Sequence, residues 1–312
     1  MLNPDLVLEN DVLDAALAAY RANPQADPVL LLIDFRTLAY PILSRVSTWE
    51  VFNGTNPNIG LYNAYLLAWM ERLTNIPPVL KEFIASRQPT ESPEEAKVAV
   101  VVCDDMPLLH LDYHDPNKQI YWRHLVVPDY KGGRGPKPTG WSDLISAGYE
   151  ACQRLGFPFV REPYMEADDL VAQFVRNRRS TGCSGVAIWT VDTDLLQLVT
   201  DDEPPVVWYN SGYPPYYRDT NTTKSYWLKR WKQEIDHPRD IARFKADNGD
   251  TSDNLEPGSP IGVIDLINPQ QYPEQDHTYA AHTKPYTLAS LDKSNDAYRR
   301  SILPTGLGLS IN

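Results

Sequence analysis

The sequence predicts an α/β fold: a mostly parallel central sheet flanked by helices, with a smaller helical region at the C-terminal end. Two observations carry this. Short apolar runs recur at "VLLLIDF" (29–35), "KVAVVVCDD" (97–105) and "GVAIWTVDTDLLQLV" (185–199), the pattern of parallel strands buried on both faces. Between them lie longer segments with apolar residues at helical spacing, so that strands and helices alternate.

Residues 1–26 read as an amphipathic helical extension closed by the breaker run "RANPQADP". A core over 27–245 opens with the first strand, behind which helical periodicity resumes. The stretch from Ile59 to Ile84 is rich in Leu, Tyr and Trp at helical spacing, and "SRQPTESPEEA" (86–96) is a polar loop before the second strand. Met106 to Tyr121 reads as loop. Its His110, Asp112, His114 and Asp115 have the residue types of a metal site but no zinc spacing, and read as loop surface. A helix from about Trp141 to Leu155 follows, with Ser142 as its expected cap, then a strand at "FPFV" (157–160) and a helix at "MEADDLVAQFVRNRR" (165–179). The third acidic strand is expected to run into a helix, with a further strand at "PPVVWYN" (204–210). Residues 246–312 have raised Pro, Gln, Asn and Gly and weak periodicity, which predicts a partly irregular region.

Composition narrows the function. Hydrophobic residues make up 42% of the 312, enough for a substantial core. A net charge of -12 argues against coating nucleic acid through bulk charge, yet two basic stretches interrupt the acid: Lys118, Arg123, Lys131, Arg134 and Lys137, then Lys224 to Lys245. They are either solvated faces or local phosphate contacts. Cys103, Cys152 and Cys183 lack C-x-x-C spacing, which speaks against a disulfide framework and a thiolate zinc site and fits a reducing compartment. No signal-peptide pattern opens the sequence and no apolar run is long enough to span a bilayer, so a soluble, cytoplasmic protein without membrane partners is expected.

The acids concentrate where chemistry is expected. Ligands of open α/β sheets bind beyond the carboxyl ends of the strands. Asp34, Asp104 and Asp192 stand at that edge on three strands, with Asp105 competing with Asp104 and with Asp194 across the strand-to-helix turn. Glu166 and Asp169, three apart, share a helix face beside Asp168, and Asp250 and Asp253 repeat that spacing in "GDTSDN". Acids in a first turn serve as caps, but five clusters would each need that explanation. Clustered like charges raise one another's pKa unless cations intervene, and hard oxygen donors suit Mg²⁺ or Mn²⁺, two of which, about 4 Å apart, can clamp a phosphoryl displacement. An EF-hand is a poor fit, since counting from Asp247 its glycine position holds Ser252. "VDTDLL" resembles a D-x-D-x-T phosphatase nucleophile but has Leu196 in place of Thr.

In order along the chain, "LLIDF", "VVVCDD", "YWRHLVVPDYKGGR" (121–134), "EADDLVA" (166–172), "VDTDLLQLV" and "GDTSDN" resemble the 5′ nucleases, a family that includes flap endonucleases and the 5′-nuclease domain of bacterial DNA polymerase I. "KPTGW" with "REPYMEADD" is most similar to the replication exonucleases of short-tailed phages. The resemblance implies a PIN-like core, two Mg²⁺ or Mn²⁺ ions and 5′–3′ exonuclease or flap endonuclease activity. The DNA would be a 5′ flap, a nick or a recessed duplex, with RNA–DNA hybrid as a further substrate and primer removal in phage replication as the task. Asp34, Asp104, Glu166, Asp168 and Asp169 match the first metal site, Asp192 and Asp194 its boundary, and Asp250 and Asp253 the second. Lys131 and Arg134 match residues that meet the scissile phosphate, Tyr130 an aromatic that stacks on a terminal base, Arg123 a residue that is either structural or steers phosphate, and Lys137 a further strand contact. An arch lies at about 123–150. "LEPGSPIGVIDL" (255–266) stands, in reduced form, where the family has a Gly-rich helix-hairpin-helix, often with a bound K⁺, and replication proteins are the implied partners. Two other readings stay open: a catalytically silent branched-DNA-binding protein, and a small-molecule phosphohydrolase with Asp192 as nucleophile.

Overall fold

The computed structural model describes residues 27–52, 60–88, 90, 92–109, 119–125, 127–162, 165–210, 216–258 and 286–287. The expected extension over 1–26 and the loop acids and histidines at 110–115 lie outside them, as does most of the region after 258.

The first apolar run forms β1 (Val29–Asp34), buried at every residue. It lies in parallel between β2 (Lys97–Cys103) and β6 (Gly185–Trp189), with Asp34 opposite Cys103 and Ile33 opposite Trp189. The sheet runs β5 (Phe159–Val160), β2, β1, β6, β7 (Val206–Asn210), β8 (Tyr216–Arg218), and only β8 and a short strand β9 (Tyr286–Thr287) beside β2 are antiparallel. Between β2 and β5 come β3 (Leu108–Leu109) and β4 (Gln119–Ile120), a small hairpin inside the stretch expected to be loop. The strand expected over 157–160 pairs only through its last two residues.

Alternation along β1 divides the core. Val29, Leu31 and Ile33 face the layer of α1 (Phe35–Phe52), α2 (Leu61–Thr74), α3 (Pro78–Ser86) and α4 (Trp141–Leu155). Leu30 and Leu32 face α5 (Ala167–Arg176), α6 (Thr220–Trp231) and α7 (Asp240–Asn248) on the other side. α2 ends at Thr74, and Pro77 and Pro78 open α3 as its N-cap and first residue, since a proline lacks an N–H but suits a helix's first turn.

Two expectations change. Gly140, at φ +80°, is the N-cap of α4, and Ser142 lies one residue inside the helix. After Asp192 the chain makes a 3₁₀ turn, Asp194–Leu198, where a helix was expected.

The layer of α1, α2 and α4 is tight at Gly148. A Cβ there would lie 2.4 Å from the Phe35 ring and 2.8 Å from the Trp69 ring, and those rings stack at 4.5 Å. Gly148→Ala is expected to destabilise by about 1–3 kcal/mol through overpacking. An unchanged urea midpoint would show that the two rings can yield.

Candidate active site

From β1 the chain moves outward through β2 to β5, then returns to the other side of β1 as β6. That reversal opens a crevice past the ends of β1 and β6, the usual ligand position in such sheets. Asp34 closes β1, and its Oδ2 accepts from the Thr190 hydroxyl at 2.8 Å. Thr190 Oγ1 also accepts the Asp192 N–H at 3.0 Å, and Asp192 Oδ1 accepts the Asp194 N–H at 2.9 Å, so one turn orients three acids. The start of α5 supplies Glu166, Asp168 and Asp169, with carboxylate oxygens within 4.8 Å of one another. Asp169 folds back to accept the Glu166 N–H at 3.1 Å, which accounts for part of the acidity as capping.

Ion pairs sort these acids into two kinds. Asp104 is held by Arg36 at 2.7 Å, Arg161 at 3.3 Å and the Tyr149 hydroxyl at 2.8 Å. Asp169 takes Arg123 at 2.5 and 2.9 Å and the Trp122 indole N–H at 2.9 Å, while Glu166 pairs with Arg123 and Lys131. Lys245, reaching in from α7, pairs with Asp194 and, at 2.9 Å, with Asp250. Asp253 accepts from Arg134 at 2.6 Å and the Tyr130 hydroxyl at 3.1 Å. Asp105 has Arg36 at 3.6 Å and accepts the Ala167 N–H at 2.9 Å. Among the described residues, Asp34, Asp168 and Asp192 are the candidate acids without an ion pair.

Proton affinity follows that division. Burial, with Asp192 and Asp105 nearby, pushes the Asp34 carboxyl up to about 8. Burial also raises Asp168, with Glu166 and Asp169 adding to the rise against the pull of Arg123, and raises Asp192, which feels Asp253 and Asp250 against Lys245. Glu166 is equally buried, but Lys131 and Arg123 overcome burial and hold it at about 2. Asp34, Asp168 and Asp192, half-buried or buried and without a described ion pair, are hard oxygen donors whose charge a divalent ion would stabilise, so the donor set fits Mg²⁺ or Mn²⁺.

A stability effect follows for Asp34. Its folded pKa of about 8 exceeds the ordinary 3.8, so the folded state binds the proton more tightly. The resulting stabilisation is complete below the unfolded pKa and is lost as pH rises through the folded value. In metal-free protein, Asp34→Asn is expected to raise the melting temperature at pH 8 and leave it nearly unchanged near pH 4. Equal shifts at both pH values would contradict a raised Asp34 pKa.

The basic residues divide as well. Lys131 is largely buried and Arg134 half exposed, both beside the acids. Lys137 lies further out, 5.0 Å from the Trp141 ring and 5.9 Å from that of exposed Tyr40. Arg123 is fully buried beneath Glu166 and Asp169, which leaves the structural one of its two expected roles, and the expectation for Tyr130 is corrected: it is 1% exposed with its hydroxyl on Glu166 and Asp253, so it is not open to a base. Sequence reasoning missed Arg36, Arg161 and Lys245 as counter-ions. Lys245 fell within a basic stretch that reads as surface, although its place five residues before Asp250 was a usable signal.

The family described as 5'-3' exonuclease, N-terminal resolvase-like domain matches residues 101–231. DNA polymerase I of Mycobacterium tuberculosis is 35% identical over 159 residues, 50% of this chain and 16% of the polymerase. The 5'-3' exonuclease of Mycoplasma pneumoniae is 29% identical over 52% of this chain and 54% of its own, and flap endonuclease Xni of Cronobacter sakazakii 27% identical over 56% and 54%. The chain thus spans about a sixth of the polymerase and about half of each free-standing relative. Among solved structures, T5 5'-exonuclease with divalent zinc bound gives a TM-score of 0.42 at 17% identity, covering 85% of this chain and 87% of that one. The match with the 5'-3' exonuclease, N-terminal resolvase-like domain family takes in the end of β2, the basic turn, the acidic start of α5 and the Asp192 turn, which is the part of this chain that resembles that family.

Proposed function

We propose that this protein is a divalent-metal-dependent 5′–3′ nuclease that hydrolyses phosphodiester bonds at the 5′ ends of DNA, at flaps, nicks or recessed duplex ends, and in RNA–DNA hybrid. The observation that carries the reading is the trio of acids without a described ion pair, buried Asp34 and Asp168 and half-buried Asp192, beside a basic turn containing Lys131 and Arg134. Relatives named as a 5'-3' exonuclease and a flap endonuclease support the choice of substrate.

In this reading Asp34, Asp168 and Asp192 are the principal metal ligands, with Glu166, Asp104, Asp169, Asp194, Asp250 and Asp253 around them. Bound Mg²⁺ or Mn²⁺ supplies charge neutralisation and a more acidic water at neutral pH. The protein's own part is to orient and to offset charge. Thr190 fixes the Asp34 carboxyl and the Asp192 backbone N–H, and Lys131 and Arg134 exchange their carboxylate partners for the scissile phosphate as its negative charge grows. Lys137, beside exposed Tyr40, meets the strand farther along. Primer removal during phage replication in the host cytoplasm is the proposed setting. Among the described residues no helix is long and apolar enough to cross a membrane.

The test is cleavage of a 5′-labelled flap and a recessed duplex with Mg²⁺, Mn²⁺ or EDTA. Metal-dependent release of 5′ products is expected, and product length separates mononucleotide release from flap excision. Binding without cleavage in any of the metals would instead favour a silent branched-DNA-binding protein.

A further inference from the structure

The turn that carries the proposed phosphate contacts is built against a loop far away in sequence. Lys131 has φ +57°, a left-handed conformation that a lysine seldom adopts, and its N–H donates to the Asp253 carbonyl at 2.9 Å. Around it, Gly132 N–H donates to Asp129 O and Arg134 N–H to Lys131 O, which closes a tight turn. Asn254, at φ +58°, directly follows that acceptor carbonyl, and its side-chain amide donates to the Asp129 carbonyl at 3.0 Å. Paired hydrogen bonds between Asp250 and Leu255, both 2.8 Å, close the 250–255 loop.

We infer that Asn254 is a positioning residue: its left-handed backbone aims the Asp253 carbonyl at the Lys131 N–H, and its amide clamps Asp129, so the 250–255 loop sets where Lys131 meets phosphate. This rests on the nuclease reading above. Asn is suited to both tasks, because it tolerates the left-handed region better than other non-glycine residues and carries a donor. The Lys131 ammonium lies 5.0 Å from the Tyr130 ring and pairs with Glu166, so a shift of the turn moves the ammonium relative to the acids. Asn254 itself is exposed and touches none of the candidate acids through its side chain in any described hydrogen bond.

Two variants separate its tasks. Asn254→Gly keeps the backbone conformation and removes the clamp, whereas Asn254→Val removes the clamp and disfavours the conformation. Cleavage of the 5′ flap is expected to slow about threefold in Asn254→Gly and at least about tenfold in Asn254→Val, in kcat with little change in KM. In a Lys131→Ala background both losses should largely vanish, since the effect runs through Lys131. Amide hydrogen exchange gives a readout independent of catalysis: protection of the Lys131 N–H should fall in Asn254→Val while amides of β1 keep theirs. Unchanged Lys131 protection in Asn254→Val, or losses that simply add to that of Lys131→Ala, would overturn the inference. A wild-type protein that cleaves no nucleic acid removes the nuclease reading, and the exchange measurement still decides whether Asn254 places the turn.

Discussion

Asp168→Asn is expected to abolish metal-dependent cleavage, by about 10³-fold or more, without loss of the fold. The change replaces one oxygen by an amide nitrogen and removes one negative charge. Asp168 is 8% exposed at the second residue of α5, and its one described hydrogen bond is from the Asp169 N–H at 3.1 Å to Oδ1, which Asn can also accept. Burial and two neighbouring acids already disfavour its charge. The metal-free variant should therefore melt no lower than wild type, while divalent metal stabilises it less. Single-turnover cleavage and thermal melts with and without Mn²⁺ measure both parts. Activity within tenfold of wild type would remove Asp168 from the proposed ligands.

Arg123→Leu is expected to have the opposite balance, a large loss of stability that precedes any question of activity. The guanidinium is fully buried between the Trp122 ring at 4.7 Å and the Tyr130 ring at 5.8 Å, and serves both Glu166 and Asp169. Removing one member of a buried ion pair costs about 3–5 kcal/mol, because the partner's charge stays desolvated. Asp169 loses its one described counter-ion here and Glu166 keeps only Lys131, against total stabilities of about 5–15 kcal/mol for a typical domain. Arg123→Lys should recover only part of the loss, since one ammonium cannot reproduce a fork shared by two acids. Urea unfolding would register this, and a shift below about 1 kcal/mol would mean that Glu166 and Asp169 find other partners.

The contrast between these residues shows what the sequence could reveal. The apolar runs ending in Asp34, Asp104 and Asp192 were legible because strand burial and chain direction are local properties, and the parallel sheet then brings those ends to one edge. Asp168 was legible through its cluster. What the sequence could not show was which acids are neutralised from within. Arg36 reaching Asp104 and Lys245 reaching Asp194 depend on distances that only the packed helices set. Tyr130 was placed against a base, and the role of Arg123 left open between structure and phosphate, because their segment matches a family pattern, and a pattern does not record which way a side chain faces. The bounds of α4 were legible but its cap was misplaced by two residues, since a serine cap is a local signal whereas Gly140 is required by its left-handed backbone beside Tyr65.

The ties among Asp34, Thr190 and Asp192, and from Lys131 to Asp253, also bear on when the protein becomes competent. No short segment contains the site: its first acid closes the opening strand, and the loop that receives the basic turn lies beyond residue 248. As the chain leaves a ribosome, a sheet of β1, β2 and β5 can form while the acids of the final loop are still inside the exit tunnel. Competence therefore arrives late and all at once, and a ribosome-stalled chain ending before Asp253 would be folded in part yet inert toward the nucleic acid crowding around it.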